Sequence, residues 1–143
     1  MSIENILASK GRNIVTIAPE RTVREAADTL FRHRIGAVVV AGSGGALMGI
    51  LSERDIVTAL AREGGNALDN PVSRHMTSTV VTASEGDTIE DVMERMTQGR
   101  FRHVPVMREG NVVGIVSIGD MVKNRLETME HESRALKDYI ASA

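Results

Sequence analysis

The sequence predicts an α+β fold of two β-α-β-β-α repeats packed about a pseudo-twofold axis, with a long C-terminal helix. The first observation is an internal repeat: shifting the 143-residue chain by 66 residues places Val15-Thr16 on Val81-Thr82. Beyond the following turn the offset is 65, and 49–57 then matches 114–122 at five of nine positions. The second observation is a globular composition, with 42% hydrophobic and 25% charged residues.

A short strand and a helix begin each repeat. The predicted strands are 14–17 and 80–82. The first helix begins at Thr22, because Thr22-x-x-Glu25 is a capping box, and Thr88-x-x-Asp91 is a weaker version in the second repeat. Apolar residues then recur at helical spacing in both copies.

A hairpin and a second helix complete each repeat. The predicted strand pairs are 37–41 with 46–51 and 103–107 with 111–116. Turn residues separate the strands of each pair, and a helix starts near Ser52 or Ser117. The Gly-rich segment 63–66 separates the copies.

These elements predict three parts of the chain: a first repeat at 8–66, a second at 72–128 and a helical extension at 129–143. A single repeat of about 60 residues has only a marginal core. The two copies should therefore pack together, and two related clefts should form between them, where ligands often bind.

Composition excludes several kinds of function. Cysteine is absent, which rules out disulfides and thiolate metal sites and is compatible with a reducing cytoplasm. The N-terminus lacks a signal-peptide pattern and no apolar run approaches a membrane span, so we expect a cytoplasmic protein without membrane attachment. A net charge of −2 and only three aromatic residues argue against nucleic-acid binding. The histidines are too scattered to predict a metal site.

The segments 49–55 and 114–120 are the main candidates for a binding site. In each, a buried strand leads into a helix N-terminus, whose free N–H groups and dipole favour an anion such as phosphate. Ser52 or Ser117 can donate to a phosphate oxygen, and Asp55 or Asp120, one turn later, suits two vicinal ribose hydroxyls. The combination indicates a nucleotide. The alternative is that Ser-x-x-Asp only caps the helix.

The two G-h-h-S-x-x-D segments, where h is apolar, resemble those of paired CBS domains (cystathionine β-synthase domains, paired as a Bateman module). The segment 101–106, Phe-Arg-His-Val-Pro-Val, resembles the second strand of that family. The resemblance covers about 14–126. It implies binding of adenosyl ligands, assembly into a dimeric disc, and regulation of another protein.

The resemblance also implies ligand-binding residues. Carried over by position, they are Thr16, Ile17, Ile35, Gly36, Ala37, Ser52, Arg54 and Asp55 in the first repeat, and Thr82, Ala83, Arg102, His103, Val104, Pro105, Ser117 and Asp120 in the second. The aspartates would hold ribose, the serines would lie beside phosphate, and the threonines with the residues after them would line adenine. The segments 35–37 and 102–104 would form the cleft walls.

The two clefts should differ in charge. Arg54 has Gly119 as its counterpart, whereas Arg102 and His103 belong to the second repeat alone. The second cleft is therefore expected to take a monophosphate, and the roomier first cleft a larger ligand such as a dinucleotide.

The resulting hypothesis is a stand-alone regulatory module that binds AMP, or else NAD(H) or ATP, without a metal and without catalysis. One alternative is a small nucleotide-hydrolysing enzyme, although no nucleophile–base pair or metal cluster converges in the motifs. The other is an interaction subunit whose clefts are vestigial. An unidentified regulated protein would be a partner in the leading hypothesis.

The C-terminal segment predicts one helix from Asp120 to about Tyr139, because it has no Gly or Pro and is rich in helix-forming residues. Its apolar residues follow a heptad pattern: Val122, Leu126, Met129, Leu136 and Ile140. This stripe either folds back on its own module or is buried in a homodimer. We expect the homodimer.

Overall fold

A computed structural model describes residues 1–142. The helices are α1 (Ile3–Lys10), α2 (Val23–His33), α3 (Glu53–Glu63), α4 (Val72–His75), α5 (Ile89–Gly99) and α6 (Ile118–Ser142). The strands are β1 (Thr16–Ile17), β2 (Ala37–Ala41), β3 (Leu47–Ser52), β4 (Ala83–Ser84), β5 (His103–Arg108) and β6 (Asn111–Ser117). They form two three-stranded sheets, β1-β2-β3 and β4-β5-β6. The predicted fold class, two repeats followed by a long helix, is confirmed.

The strand registers of the two sheets reproduce the sequence repeat. In each sheet the first strand is parallel to the second, and the second and third form an antiparallel hairpin. Val40 pairs with Gly49 across one hairpin, and Val106 pairs with Gly114 across the other. The valines are 66 residues apart and the glycines 65. The second hairpin is therefore one residue shorter than the first between these two positions, which flank its turn. Each register also shifts directly after the valine.

The first strand of each repeat is shorter than the sequence predicts, and in the second repeat it lies elsewhere. In the first repeat only Thr16–Ile17 pairs with β2, although Val15 O still accepts from Val39 N. In the second repeat the strand is Ala83–Ser84 rather than 80–82. The residues just before it, 76–82, connect α4 to β4 and cross from the first repeat to the second. In this crossing segment Thr77 makes a β-bridge with Ile50 of β3. That segment cannot pair with β5 at the same time.

The helix caps follow the predicted pattern only in part. Thr22 Oγ1 accepts from Glu25 N at 3.1 Å, and Thr88 Oγ1 accepts from Asp91 N at 3.1 Å. The carboxylate of Glu25 does not return to the Thr22 backbone but lies 3.4 Å from Arg21. In each helix the side-chain cap is therefore made by the threonine hydroxyl alone, while the first N–H bonds a backbone carbonyl, that of Asn70 for α2 and that of Met1 for α5.

Each repeat has its own hydrophobic core, and a helix from outside that repeat completes it. Ile3, Ile6 and Leu7 of α1 are buried in the core of the second repeat. Val72 of α4 is buried in the core of the first. The two repeats are thus held together by apolar side chains at both ends.

Close backbone approaches explain the glycine that begins each motif. A Cβ on Gly114 would lie 2.6 Å from Leu7 Cδ2, and one on Gly49 would lie 2.7 Å from Met76 Sδ and from Thr77 O. Both distances are shorter than van der Waals contact allows. A side chain at either glycine would displace the segment that crosses the strand.

The helix α6 has 25 residues and carries the predicted apolar stripe on an exposed surface. Val122, Leu126, Met129, Leu136 and Ile140 are between 45% and 64% exposed. The fold-back alternative is therefore not what the structure shows. Of the described helices, this one included, none is both long and apolar enough to cross a bilayer. Ala143, the last residue of the predicted extension, lies outside the described residues.

We predict that Leu7→Ala lowers the free energy of unfolding by about 2–5 kcal/mol, because it leaves a cavity between α1 and the second core. Urea denaturation followed by circular dichroism measures the change. Ser9→Ala is the matched control on the exposed face of the same helix and should change stability by less than about 0.5 kcal/mol. Equal effects of the two substitutions would show that α1 is not part of the core.

Candidate functional site

A cleft of about 620 Å³ lies between the two repeats, within the size range of small-molecule sites. Both helix N-termini that follow the motifs line it, those of α3 and α6. The sequence-predicted site residues in its wall are Gly36, Ser52, Arg54, Asp55, Arg102, His103 and Ser117. The cleft therefore draws on both copies of the repeat.

The start of α3 positions Ser52 and Asp55 in this cleft. Asp55 Oδ2 accepts from Ser52 N at 2.9 Å and from Ser52 Oγ at 3.1 Å, and Ser52 Oγ lies 3.3 Å from Asp55 N. This is a reciprocal capping box, so the proposed capping role of Ser-x-x-Asp is real. The other carboxylate oxygen, Oδ1, has a long hydrogen bond of 3.5 Å from Thr77 Oγ1. Capping thus uses one oxygen and leaves the second weakly held.

The start of α6 has the same cap but a different surrounding. Asp120 Oδ2 accepts from Ser117 N at 2.8 Å, and Ser117 Oγ accepts from Asp120 N at 3.2 Å. Lys10 Nζ lies 2.6 Å from the same Oδ2 and also donates to Ile115 O at 2.8 Å. Asp120 does not line the 620 Å³ cleft.

The ion pair changes the acidity of Asp120. Burial favours the neutral acid, but the hydrogen bonds from Lys10 and Ser117 N outweigh it, so the pKa of Asp120 lies below its usual value. The carboxylate is therefore ionised at neutral pH and its charge is already balanced. The two motif aspartates, equivalent in sequence, differ in what they can offer a ligand.

Several cationic side chains surround the Asp55 cleft. Arg54, Arg100 and Arg102 line it, and Arg54 Nη1 donates to Arg100 O at 2.9 Å. The sequence assigned Arg102 to the second cleft, but the structure places it in the same cavity as Asp55. An arginine fork beside helix N-termini suits a phosphate group.

His103 lies half-buried in this cleft, next to Gly36. A Cβ on Gly36 would lie 2.9 Å from His103 Nε2, so the glycine makes room for the imidazole. Burial lowers the pKa of His103, and Lys10 and Arg102 lower it further, against the opposing effects of Glu53 and Asp120. The ring is neutral at physiological pH and offers one donor and one acceptor. Like Arg102, it had been assigned to the second cleft.

The other predicted site residues lie outside the lining of this cleft. Thr16 and Ile17 line a separate groove beside α2, and Ile35 lines another beside α2 and α3. Ala37, Ala83, Val104 and Pro105 are buried within the strands. Thr82 O accepts from Arg95 Nη1 at 3.4 Å. Their roles stay predictions from the resemblance.

Sequence reasoning missed a large part of the cleft. The missed residues include Ile50, Glu53, Thr77, Thr79, Val80, Val81, Arg100 and Phe101. Four of them belong to the crossing segment, whose apolar pair Val80-Val81 had predicted a strand. Phe101 directly precedes the predicted site residue Arg102, and this adjacency in the sequence could have identified it as a lining residue. Within residues 1–142, no group of three or more His, Asp or Glu side chains is placed to hold a metal ion.

Solved structures with the same fold provide the comparison. A CBS-domain-containing protein from Agrobacterium tumefaciens, ATU1752, is 48% identical, with a TM-score of 0.85 over 87% of this chain and 92% of that one. The CBS domain pair of protein MJ0100, in complex with 5′-methylthioadenosine and S-adenosyl-L-methionine, is 27% identical, with a TM-score of 0.80 over 90% and 98%. The CBS domain protein PAE2072 from Pyrobaculum aerophilum, complexed with AMP, is 29% identical, with a TM-score of 0.75 over 84% and 89%.

The family comparison agrees with the repeat seen in the sequence. The model of the CBS domain matches this chain twice, at residues 6–62 and 72–127. The two matches contain the two motifs, each with its own sheet and capped helix. The chain therefore belongs to the CBS-domain family and contains a pair of CBS domains.

Proposed function

We propose that the Asp55 cleft binds an adenine nucleotide, with AMP as the first candidate, and that the chain regulates another protein through that binding. One observation carries the proposal. A single cleft combines a weakly held carboxylate oxygen, two helix N-termini and the guanidinium groups of Arg54 and Arg102. These are the groups that ribose hydroxyls and a phosphate require.

Each part of the ligand has a matching part of the cleft. The ribose hydroxyls donate to Asp55, whose Oδ1 has only the long bond from Thr77. The phosphate faces the N-termini of α3 and α6 and the nearby arginines. Adenine packs against the apolar residues of the crossing segment, Val80 and Val81. The cleft therefore offers such a ligand both charged and apolar lining residues.

The ligand-bound relatives support an adenosyl ligand as the class. One was solved with AMP, and another with 5′-methylthioadenosine and S-adenosyl-L-methionine. The arginines of this cleft favour the phosphorylated member of that set. A volume of about 620 Å³ also has room for ATP or NAD(H), which stay as further candidates.

A binding role fits the cleft better than a catalytic one. The Ser52 hydroxyl donates to the Asp55 carboxylate within the helix cap, so both groups are already engaged in capping α3. His103 lines the cleft with a lowered pKa and is the feature that favours the hydrolase alternative. Incubation of pure protein with AMP or ATP, followed by chromatography of the products, distinguishes the two. Turnover that His103→Gln abolishes would favour the enzyme.

We further propose that the protein is a homodimer. Val57 of α3 and Val122 of α6 occupy equivalent positions of the two repeats, and both are exposed, by 64% and 45%. The stripe on α6 continues that apolar surface toward the C-terminus. A helix with such a stripe is stabilised by burying it, and a twofold pair of copies provides two such stripes.

We predict that Asp55→Asn weakens AMP binding by about 1.5–3 kcal/mol, because it removes the charge from the ribose hydrogen bonds. That corresponds to roughly 10- to 150-fold in Kd, measured by isothermal titration calorimetry. Asp91→Asn is the matched control, because Asp91 occupies the same position after a capping threonine and does not line the cleft. Unchanged affinity in Asp55→Asn would overturn the ribose assignment.

We also predict that the wild-type protein binds AMP more tightly than adenosine, and that Arg102→Ala reduces this preference. The loss of a charge-assisted hydrogen bond should affect AMP and leave adenosine binding unchanged. Parallel titrations with both ligands measure the ratio. Arg21→Ala, an exposed arginine outside this cleft, should keep the wild-type ratio. Equal binding of AMP and adenosine by the wild type would contradict the phosphate assignment.

For the dimer, we predict that truncation after Glu127 weakens self-association, because it removes the distal half of the stripe. Sedimentation equilibrium gives the dissociation constant. The double substitution Leu136→Glu/Ile140→Glu should have the same effect within the full chain, whereas Lys137→Glu between them should not. A truncated protein that dimerises with wild-type affinity would exclude α6 from the interface.

A further inference from the structure

The two motif aspartates differ in their neighbours and in whether they line the cleft. Asp55 lines the 620 Å³ cleft, whereas Asp120 is paired with Lys10. We propose that Lys10 closes the cleft at Asp120, so that the chain binds one adenosyl ligand, at Asp55, and admits a second only when Lys10 is displaced. The inference rests on the proposed function in taking the ligand to be adenosyl.

The sequence repeat gives the reason for the difference. Position 10 of the first repeat corresponds to position 76, which is Met76, a neutral side chain that packs on Gly49. The residue after it, Thr77, forms two backbone hydrogen bonds with Ile50, of 2.9 and 3.0 Å. Thus at the Asp55 cleft the crossing segment is held by its backbone. No side-chain cation is needed there.

At Asp120 the equivalent segment is the end of α1, and a side chain holds it. The equivalent of Ile50 is Ile115, and its carbonyl accepts from Lys10 Nζ at 2.8 Å. The same ammonium group lies 2.6 Å from Asp120 Oδ2. Gly11 follows with a positive φ of 103°, which turns the chain away at the end of α1. Lys10 therefore holds this segment and occupies the carboxylate at once.

The ion pair is built into the fold rather than formed by a loose terminus. Lys10 ends a helix whose Ile3 and Leu7 are fully buried in the second core. The side chains of Lys10 and Asp120 are 34% and 24% exposed, so water screens the pair only in part. Ribose hydroxyls bind a carboxylate by donating to it. Lys10 Nζ and Ser117 N both donate to Oδ2, so Oδ1 is the oxygen left for a ribose hydroxyl, and the proposal is that the ammonium group beside the carboxylate keeps a ribose from reaching it.

Calorimetric titration with AMP tests the closure. We expect the wild type to bind one AMP per chain, and Asp55→Asn to weaken that binding. Lys10→Met, which places the residue of the other repeat at this position, should bind two per chain. The double variant Lys10→Met/Asp120→Asn should return to one, and Lys123→Met, an exposed lysine on α6, should stay at one. Two sites in the wild type, or one site in Lys10→Met, would overturn the closure and leave the proposed function standing.

A measurement without ligand separates this inference from the proposed function. The pKa of Asp120, followed by carbon NMR of its carboxyl group, should rise in Lys10→Met because a donor to the ionised form is lost. An equal pKa in the wild type and in Lys10→Met would overturn the closure whatever binds. The absence of AMP binding in all variants, combined with a raised pKa, would overturn the proposed function and support the Lys10–Asp120 pair.

Discussion

The crossing of one chain segment over one strand at a glycine is the constraint on which the rest of this structure depends. Gly114 accepts Leu7 and Gly49 accepts Met76 with no room for a Cβ. Because each segment comes from outside the repeat it covers, the crossings fasten the two repeats together. They also bring Thr77 and Lys10 beside the helix N-termini that follow the glycines. Core packing and site geometry therefore arise from the same contact.

The motif residues contribute to stability as well as to the site. A serine and an aspartate that exchange hydrogen bonds at a helix start stabilise that helix by about 0.5–2 kcal/mol, and both motifs have this geometry. The cap fixes the direction of each carboxylate before any ligand arrives, which reduces the entropic cost of binding. It also means that a change in affinity must be judged against the stability of the ligand-free variant. Asp91 provides a partial comparison, because it occupies the same position after a capping threonine and does not line the cleft, but its carboxylate does not bond back to the cap.

The sequence was sufficient to predict relations within a repeat. The predicted strand pairs, 37–41 with 46–51 and 103–107 with 111–116, are found as the two hairpins to within one residue at their ends, because the pairing of neighbouring strands depends on local alternation and turn length. The helix starts at Ser52 and Ser117 were predictable for the same reason, because a helix cap depends only on residues close together in the sequence. The crossing of α1 to the second core was not predictable, because Ile3 and Leu7 form an apolar face that would suit either sheet. The apolar pair Val80-Val81 likewise resembled a strand until the crossing segment was seen.

The sequence also could not predict which cleft a side chain lines. The repeat relates Arg102 and His103 to Gly36 and Ala37, but it does not say on which side of the boundary between the repeats they lie. The structure places both in the Asp55 cleft, and His103 also senses the charges of Lys10 and Asp120. Of the sixteen candidate residues, seven therefore line one cleft, namely Gly36, Ser52, Arg54, Asp55, Arg102, His103 and Ser117, while Ala37, Ala83, Val104 and Pro105 are buried within the strands.

The two motif aspartates have different charged neighbours, although the repeats that carry them have the same fold. At Asp55 the arginines Arg54 and Arg102 line the cleft, and Arg54 Nη1 donates to Arg100 O rather than to the carboxylate, which suits the proposed binding of an anionic group and a hydroxyl donor together. At Asp120 the positive charge of Lys10 lies on the carboxylate itself, so attraction for an anion and acceptance from a hydroxyl are both reduced. Both helix starts have the same reciprocal cap of serine and aspartate. In the proposed function, the position of the cation, in the cleft wall or on the aspartate, is what distinguishes the ligand site from the structural contact.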